Sequence, residues 1–207
     1  MEAGDVKHEI EWAGWYEQFG NKHDVSFQNM GMTPEGKIEG GGKDPVGEFD
    51  ITGQINGSEV HFDKAYKGAH TVKYSGKIEN AIISGKWEVS GATGGFEIRM
   101  KTKHWKGSFE HNGQSYDMLA SIDIKVIKGK RYPLRGIGGD SNGNYSLTGF
   151  QPICGDHHTV MFTKKYFNSP TKVHYSGIIG DFGGNEVIRG NWIMGDQFGT
   201  FDLVKQA

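Results

Sequence analysis

Two lysines, Lys64 and Lys164, occupy positions where the surrounding pattern calls for apolar side chains. Each lies in the phrase V-x-F-x-K-x-Y, two residues from a phenylalanine and two from a tyrosine. Residues two apart share one face of a β-strand, so regular alternation aims both ammonium groups inward with the rings. Because an unpaired buried charge costs several kcal/mol, we expect either a strand bulge or a rim position where a carboxylate meets each lysine.

The carboxylates expected to meet these lysines are Glu17 and Glu110, which fill equivalent places on the first strand of each half. Two roles remain open for such a group. It is either a structural salt bridge at a barrel rim or a polar anchor for a ligand at the barrel mouth. The candidate binding residues of this group are Glu17, Lys64, Tyr66, Glu110, Lys164 and Tyr166.

The loop G-D-S-N-G-N resembles a calcium-binding turn, with Asp140, Asn142 and Asn144 as weak candidate ligands. An EF-hand requires a twelve-residue loop that closes on glutamate between two helices, and the sequence has neither. Hairpin turns use the same residue types, and the first half of the chain keeps only Asp44. We therefore expect a turn, and we predict no metal and no other cofactor.

The histidines and the single cysteine form no convincing catalytic group. His157 and His158 are adjacent, so their side chains diverge along a strand, and His70 and His174 are not at equivalent positions of the two halves. Cys154 lies in a turn near His157, but nearness in sequence does not establish the geometry of a nucleophile and its base. We therefore predict a protein that is not an enzyme.

Composition excludes several classes of partner. The chain has 207 residues and a net charge of −2, which gives no indication of binding to nucleic acid or to an anionic membrane. One cysteine rules out an intrachain disulfide and fits a reducing compartment, and the start of the sequence carries charges where a signal peptide needs an apolar core. A cytoplasmic location is the expectation. The 33 glycines, roughly twice the ordinary share, favour short strands joined by tight turns.

The chain repeats itself. Trp12 to Gly20 matches Trp105 to Gly113, and later phrases match at a spacing that rises slowly along the chain, as a few loop insertions would produce. We predict a tandem duplication with one repeat over residues 1–101 and the other over 102–207. Eight aromatic pairs coincide: Trp12/Trp105, Tyr16/Phe109, Phe49/Tyr145, Phe62/Phe162, Tyr66/Tyr166, Tyr74/Tyr175, Trp87/Trp192 and Phe96/Phe201.

Within each repeat, apolar and polar residues alternate with a period of two, which is typical of antiparallel sheets with one dry face. Short strands joined by tight turns most simply close into an up-and-down barrel, which removes exposed edges. The predicted fold is therefore all-β, with two tandem eight-stranded antiparallel barrels, and β-sandwiches are the alternative. The strands predicted for the first repeat are 8–18, 24–32, 35–42, 46–55, 58–66, 70–79, 81–90 and 94–101.

Each repeat resembles the avidin-like, calycin-type barrels. The resemblance rests on a first strand with tryptophan beside glycine, a meander, and late G-x-W and G-x-F strands. The phrases G-x-G-x-D-x-x-G-x-F-x-I-x-G and F-x-K-x-Y are also similar to a repeat of multidomain eukaryotic proteins, where it occurs beside EF-hand or ubiquitin-ligase modules. The resemblance implies a barrel and no particular reaction, and no set of biotin contacts carries over to this sequence.

Three function classes follow from this reading. An eight-stranded barrel is just wide enough for its side chains or for one small ligand, and eight inward rings should fill it. We therefore expect filled barrels that act through outer faces and loops as a protein-interaction or scaffold module. The alternative is a carrier of a small apolar ligand inside one or both barrels, which a continuous internal cavity of about 300 Å³ or more lined by these rings would favour. An enzyme on a calycin-type barrel is the third class.

Trp15 is a further candidate for partner binding, because it lies on the wet face of its strand, where the second repeat has Ser108. Burial of Trp15 between the two repeats is the favoured expectation, and contact with a partner is the alternative. The stretch 99–107 between the repeats contains no flexible linker composition, so we also expect the repeats to touch each other closely as a rigid tandem.

Overall fold

The protein is all-β, as the alternation predicts. The computed structural model describes residues 10–124, 132–151 and 158–207, and no helix occurs among them, hence none that could cross a membrane. The strands of the described residues are β1 (Trp12–Gln18), β2 (Asn21–Phe27), β3 (Met30–Met32), β4 (Lys37–Lys43), β5 (Glu48–Asn56), β6 (Glu59–Tyr66), β7 (Thr71–Glu79), β8 (Ile82–Val89), β9 (Ala92–Met100), β10 (Lys103–His111), β11 (Gln114–Ile124), β12 (Tyr132–Asp140), β13 (Gly143–Gln151), β14 (Thr159–Tyr166), β15 (Lys172–Phe182), β16 (Asn185–Met194) and β17 (Gln197–Lys205).

The second repeat is a closed barrel. Strands β10 to β17 pair in chain order, each antiparallel to the next, and β17 returns to pair with β10. In that closing pair, Phe109 lies opposite Phe201 and Trp105 lies opposite Lys205. Because the chain order is also the spatial order, this is the up-and-down barrel that the sequence predicts for each repeat.

The first repeat is a nine-stranded, half-barrel sheet with the order β2-β1-β9-β8-β7-β6-β5-β4-β3. Its two outer strands, β2 and β3, are separated along the chain by only Gln28 and Asn29. They correspond to the single strand β11 of the second repeat, which pairs with both of its neighbours. The predicted strand 24–32 is therefore divided in two, and the prediction of a closed eight-stranded barrel is confirmed only for the second repeat.

The division at residues 28–29 gives a buried indole its hydrogen bond. Trp12 donates from Nε1 to the carbonyl oxygen of Met30, over 3.0 Å. The carbonyl of the neighbouring Asn29 accepts from the Gly41 amide. In the uninterrupted barrel, the equivalent Trp105 Nε1 is buried and has no partner within the described residues. The broken strand thus satisfies a donor that the continuous strand leaves unpaired.

The predicted inward rings form the two cores. In the first repeat, Phe62 stacks on Tyr74 with ring centroids 4.5 Å apart, and Phe96 meets both rings edge-on. In the second repeat, Phe162 and Tyr175 stack at 4.8 Å. Stacked and edge-on pairs add stabilisation beyond the area they bury. All sixteen paired aromatic residues are buried or half-buried, so the alternation identified the core correctly.

Paired glycines lie where neighbouring strands approach too closely for side chains. Gly177 faces Gly190 between β15 and β16, and Gly76 faces Gly85 at the equivalent place between β7 and β8. A Cβ on Gly190 would lie 2.5 Å from the Cα of Gly177, which is far inside van der Waals contact. These positions therefore allow the strands to approach closely and to bend around the aromatic core.

The two repeats touch each other. The side-chain amide of Asn144 donates to the carbonyl oxygen of Ile78 over 2.7 Å, and Lys165 forms an ion pair with Glu35 at 3.0 Å. Ile137 of the second repeat is buried within the core cluster of the first. These contacts join one end of the first repeat to the outer side of β12 and β13. The boundary near residue 101 and the rigidity of the tandem stay predictions.

Candidate functional site

Each repeat contains one buried group of lysine, aspartate and tyrosine, called here the Lys–Asp–Tyr group. In the first repeat, Asp44 Oδ2 accepts hydrogen bonds from Lys64 Nζ at 2.6 Å and from the Tyr66 hydroxyl at 2.7 Å. In the second repeat, Asp140 Oδ2 accepts from Lys164 Nζ at 2.8 Å and from the Tyr166 hydroxyl at 2.7 Å. The structure therefore brings together both predicted lysines and both predicted tyrosines, each with an aspartate.

The predicted carboxylate partners, Glu17 and Glu110, are wrong. Both side chains are exposed, and Glu110 Oε2 accepts from Thr200 Oγ1 at 3.1 Å. The backbone carbonyls of Glu17 and Glu110 accept hydrogen bonds from Trp87 Nε1 and Trp192 Nε1 at 3.0 Å. These strand-end glutamates point to solvent because they follow the outward alternation of β1 and β10. The repeat alignment, which places Asp44 over Asp140, carried the signal that could have identified the true partners.

Hairpin geometry turns the two aspartates inward. Each follows or ends a glycine-rich strand, and Oδ1 of each accepts from backbone amides of the next turn: Val46 and Gly47 for Asp44, and Asn142 for Asp140. Such Asx turns are favoured by aspartate because its short side chain reaches the backbone two residues later. The turn leaves Oδ2 directed at the lysine.

The lysines follow the regular alternation, so the expected strand bulge is absent from β6 and β14. Pairing with the flanking strands runs without interruption through Lys64 and through Lys164. Both are buried, with 4% and 1% of their surface exposed. The groups differ in their carboxylates, since the side chain of Asp44 is 24% exposed and that of Asp140 is fully buried. The second group is therefore the more isolated from water.

Aromatic rings surround each ammonium group. Lys164 Nζ lies 4.6 to 5.5 Å from the ring centroids of four side chains: Phe109, Tyr145, Tyr166 and Tyr175. Lys64 Nζ lies 4.1 Å from the centroid of Phe49. Ring faces attract cations, and the attraction strengthens when water is excluded. The lysines therefore fill these aromatic cages, and another cation has no room beside them.

Burial shifts the pKa values of the second group. It lowers the pKa of the Lys164 ammonium, although Asp140 opposes that shift. Burial also raises the pKa of the hydroxyls of Tyr145, Tyr166 and Tyr175, with a further contribution from Asp140. These tyrosines consequently stay protonated at neutral pH, and the hydroxyls of Tyr145 and Tyr166 donate to the Leu119 carbonyl and to Asp140.

The pKa of Asp44 in the first repeat lies below its usual value. Burial is the largest single influence and raises it, but the hydrogen bonds from Lys64 and Tyr66 together outweigh that effect. Asp44 is therefore a carboxylate at neutral pH, and it forms an ion pair with Lys64.

The calcium-turn interpretation of Asp140, Asn142 and Asn144 is contradicted by their contacts. Asp140 already accepts from an ammonium, a hydroxyl and an amide, and the side chain of Asn144 turns away to the first repeat. The lysine therefore occupies the place that a cation would need. Nowhere in residues 10–124, 132–151 and 158–207 do three potential metal ligands cluster. Cys154 and His157 lie outside the described residues.

A pocket of about 440 Å³ opens at the end of the second barrel that holds Lys164. Four of the predicted inward rings contribute to its lining. The pocket is open at the mouth, so a filled barrel interior stays a prediction. The lining residues are Phe109, His111, Asn142, Lys164, Tyr166, Asn168, Ser169, Thr171, Val173, Tyr175, Trp192 and Met194.

The equivalent end of the first repeat carries a different residue at the rim. Thr171 directly precedes β15, and the residue that directly precedes the equivalent strand β7 is His70. The His70 ring packs against Tyr66 with centroids 5.0 Å apart. His70 itself is exposed and Tyr66 stays half-buried, whereas Tyr166 is buried and lines the pocket beside Thr171.

A larger cleft, of about 1100 Å³, lies where the two repeats meet at the opposite end of the second barrel. Among its charged residues, Glu186 is already paired, since it lies 2.6 Å from Lys205 and 3.9 Å from Lys103. The cleft also ends beside residues that the structure does not describe. The smaller pocket above Lys164 is therefore the candidate site.

Trp15 is half-buried on β1, and its ring carries the ammonium of Lys22 at 3.5 Å from the centroid. A Cβ on Gly95 would lie 3.7 Å from the same ring. Both neighbours belong to the first repeat, so local packing accounts for part of the burial. Burial of Trp15 by the second repeat stays a prediction.

Comparison with known proteins yields no relative for this chain: no family model matches it, and no curated protein matches it. The duplicated Lys–Asp–Tyr group and the pocket above its second copy are therefore the observations from which a function can be argued.

Proposed function

We propose that this protein is a non-catalytic small-molecule binding protein whose ligand enters the mouth of the second barrel. The observation that carries the proposal is the pocket of about 440 Å³ above Lys164, which falls within the range typical of ligand sites. Aromatic walls with a few convergent polar groups are also typical of such sites. The proposed function is therefore that of a carrier, with the ligand at the mouth of the second barrel.

The pocket's ionisable groups favour binding over catalysis. Lys164, Asp140 and Tyr166 are bonded to one another, and the same three residue types form the same bonds in the first repeat. A group present in both repeats serves first to close the barrel end. The Lys–Asp–Tyr group thus forms a rigid floor on which a ligand rests.

We also propose that the first repeat, residues 1–101, is a calycin-type barrel divided at one strand, and that it supports the second repeat, residues 102–207. The outer strands β2 and β3 are consecutive in the chain and together match β11, which supports a common ancestral fold for both repeats. The first repeat reaches the pocket's edge, where a Cβ on Gly57 would lie 3.8 Å from Asn168. Contact between the repeats therefore holds one lip of the mouth.

Exchange of the two rim residues tests the proposal. Thr171→His gives the rim of the second barrel the residue type that the first repeat has at the equivalent position, and its imidazole should block the pocket. We therefore expect at least about a tenfold loss of the small molecule retained by the purified protein. Native mass spectrometry of protein from its natural source, followed by solvent extraction, measures that retention. The matched control, His70→Thr, should retain as much as the wild type. Equal retention by Thr171→His and the wild type would refute the proposal.

A second candidate function, the protein-interaction module of the sequence analysis, is favoured by one surface feature. Ile193 on β16 and Phe198 on β17 lie directly opposite each other and are 52% and 78% exposed. Ile178 and Met161 add exposed apolar surface on the neighbouring strands β15 and β14. Exposed apolar side chains on neighbouring strands favour a site that binds a protein partner.

The double variant Ile193→Ser, Phe198→Ser tests this candidate. We expect it to lose a partner that the wild type retains in pull-down from native extract, with unchanged thermal stability, because both side chains lie outside the core. Phe19→Ser, at a residue 91% exposed in the first repeat, is the matched control. An identical set of retained proteins for all three forms would eliminate this surface as the binding face.

A further inference from the structure

We infer that the ligand of the second barrel is a neutral, flat molecule that directs a hydrogen-bond acceptor, such as a carbonyl oxygen, toward Lys164 and Tyr175. The inference rests on the proposed function, because it concerns the same pocket. The chemical class of the ligand follows from which hydrogen-bond donors and acceptors of the pocket have no partner and which are already bonded.

The floor of the pocket offers donors. An ammonium has three N–H groups, and in the described part of the chain Lys164 gives one of them to Asp140 and none to another acceptor. Tyr175 also lines the pocket and is 2% exposed, and its hydroxyl makes no hydrogen bond with the described residues. A buried donor without a partner is unfavourable, so an acceptor on the ligand would gain from both groups.

The Asp140 carboxylate at the floor is occupied, whereas His111 Nε2, at another place in the lining, is buried without a partner among the described residues. Asp140 Oδ1 accepts from the Asn142 amide, and Oδ2 accepts from both Lys164 and Tyr166. The side chain of Asp140 is also fully buried, so no oxygen of this carboxylate faces a ligand. A ligand that presents a donor at its buried end would therefore find donors opposite it and lose a hydrogen bond on entry.

The charge balance favours a neutral ligand. A cation would meet the Lys164 ammonium, whose aromatic cage is already filled. An anion would gain from Lys164 but would enter beside Asp140, which lies 2.8 Å from that ammonium and already neutralises it. Either charge would be buried without its own counterion. A neutral acceptor avoids this cost and still uses the spare N–H groups.

The walls favour a planar body. Trp192 and Phe109 meet edge to face with centroids 6.2 Å apart, and Tyr166 and Tyr175 line the same pocket. The indole N–H of Trp192 is held by the Glu110 carbonyl, so this side chain presents its ring as apolar surface. Aromatic surfaces pack best against flat rings, in stacked or edge-on contact. The rim residues Asn168, Ser169 and Thr171 carry no charge and suit a polar, neutral outer end.

Four probes of matched size test the inference by titration calorimetry with the full chain. They are 2-quinolone, a neutral bicycle with a carbonyl acceptor; naphthalene, which has no acceptor; 2-naphthoate, an anion; and 2-naphthylmethylammonium, a cation. We expect 2-quinolone to bind at least about tenfold more tightly than the other three. Tighter binding of naphthalene, the anion or the cation, or the absence of binding by 2-quinolone, overturns the inference.

Removal of one hydroxyl locates the acceptor contact. Tyr175→Phe should weaken 2-quinolone binding about tenfold and leave naphthalene binding unchanged, because it deletes a donor and keeps the ring. Tyr74→Phe, the matched change in the first repeat, should alter neither. If Tyr175→Phe changes nothing while Thr171→His removes binding, the ligand class is wrong and the pocket stands. If Thr171→His also leaves 2-quinolone binding intact, the probe binds elsewhere and the proposed function loses its support.

Discussion

Replacement of Lys164 by methionine is expected to lower the free energy of unfolding by about 3–5 kcal/mol. The substitution keeps an unbranched side chain of similar length but removes the ammonium that pairs with Asp140 at 2.8 Å. Asp140 then remains fully buried with a carboxylate that has lost its counterion, and such uncompensated charges are among the most destabilising single changes. Urea unfolding at pH 7, followed by tryptophan fluorescence, measures the effect.

Two further variants separate charge from packing. Lys64→Met should be less destabilising, because the side chain of Asp44 is 24% exposed and retains contact with water. The triple variant Lys164→Met, Asp140→Leu, Tyr166→Phe replaces the whole group by apolar residues, and it should recover at least half of the lost stability. Two results would contradict this explanation: Lys164→Met unfolding at the same urea concentration as the wild type, or a triple variant no more stable than Lys164→Met. Either would show that the buried Lys164–Asp140 ion pair does not stabilise this end of the second barrel.

Stability is expected to fall steeply as the pH rises above about 10, the pKa of tyrosine in an unfolded chain. Burial raises the folded-state pKa of Tyr74, Tyr145, Tyr166 and Tyr175, so their contribution is complete below the unfolded value and is lost as the pH approaches the folded values. Each tyrosine that ionises only in the unfolded chain lowers the free energy of unfolding by about 1.4 kcal/mol per pH unit.

Lys164 acts in the opposite direction over this range, because its folded-state pKa is lowered and rising pH removes a buried charge. One lysine does not offset four tyrosines, so the net slope is negative. Urea unfolding between pH 8 and pH 11 should show this decline in the free energy of unfolding. Tyr175→Phe removes one ionisable hydroxyl, so the decline should be shallower by the contribution of one tyrosine. A free energy of unfolding that is constant up to pH 11 would show that these hydroxyls are not held protonated by the barrels.

Alternation and repetition were sufficient to predict the all-β class, seven of the eight strands of the first repeat and the aromatic core. Period-two patterning reports which face of a strand is buried, and it does so wherever neighbouring strands cover that face. The same alternation correctly pointed Lys64 and Lys164 inward. Their surroundings could not be predicted in this way, because the partner of a buried charge comes from another strand.

Only the tertiary structure identified Asp44 and Asp140 as the partners of these lysines. The curved sheet of each repeat brings a hairpin turn over the end of β6 or β14, and the Asx turn then directs one carboxylate oxygen inward. Glu17 and Glu110, the partners predicted from sequence, lie near the ends of β1 and β10, but on the outward face of each strand. One residue of register separates the two faces of a strand, so nearness along the chain does not select the partner.

The sequence by itself determined a duplicated all-β chain with two inward lysines, since strand patterning and repeat matching are local properties. The tertiary structure alone decided that β2 and β3 are separate strands and that the second barrel keeps a pocket beside Lys164. Both outcomes depend on volume and hydrogen bonding across strands: the Trp12 indole donates to the Met30 carbonyl, and the rings and turns of the second barrel leave space beside Thr171. The volume of the pocket depends on how rings and turns from distant segments of the chain pack together. Local sequence patterns do not predict that packing.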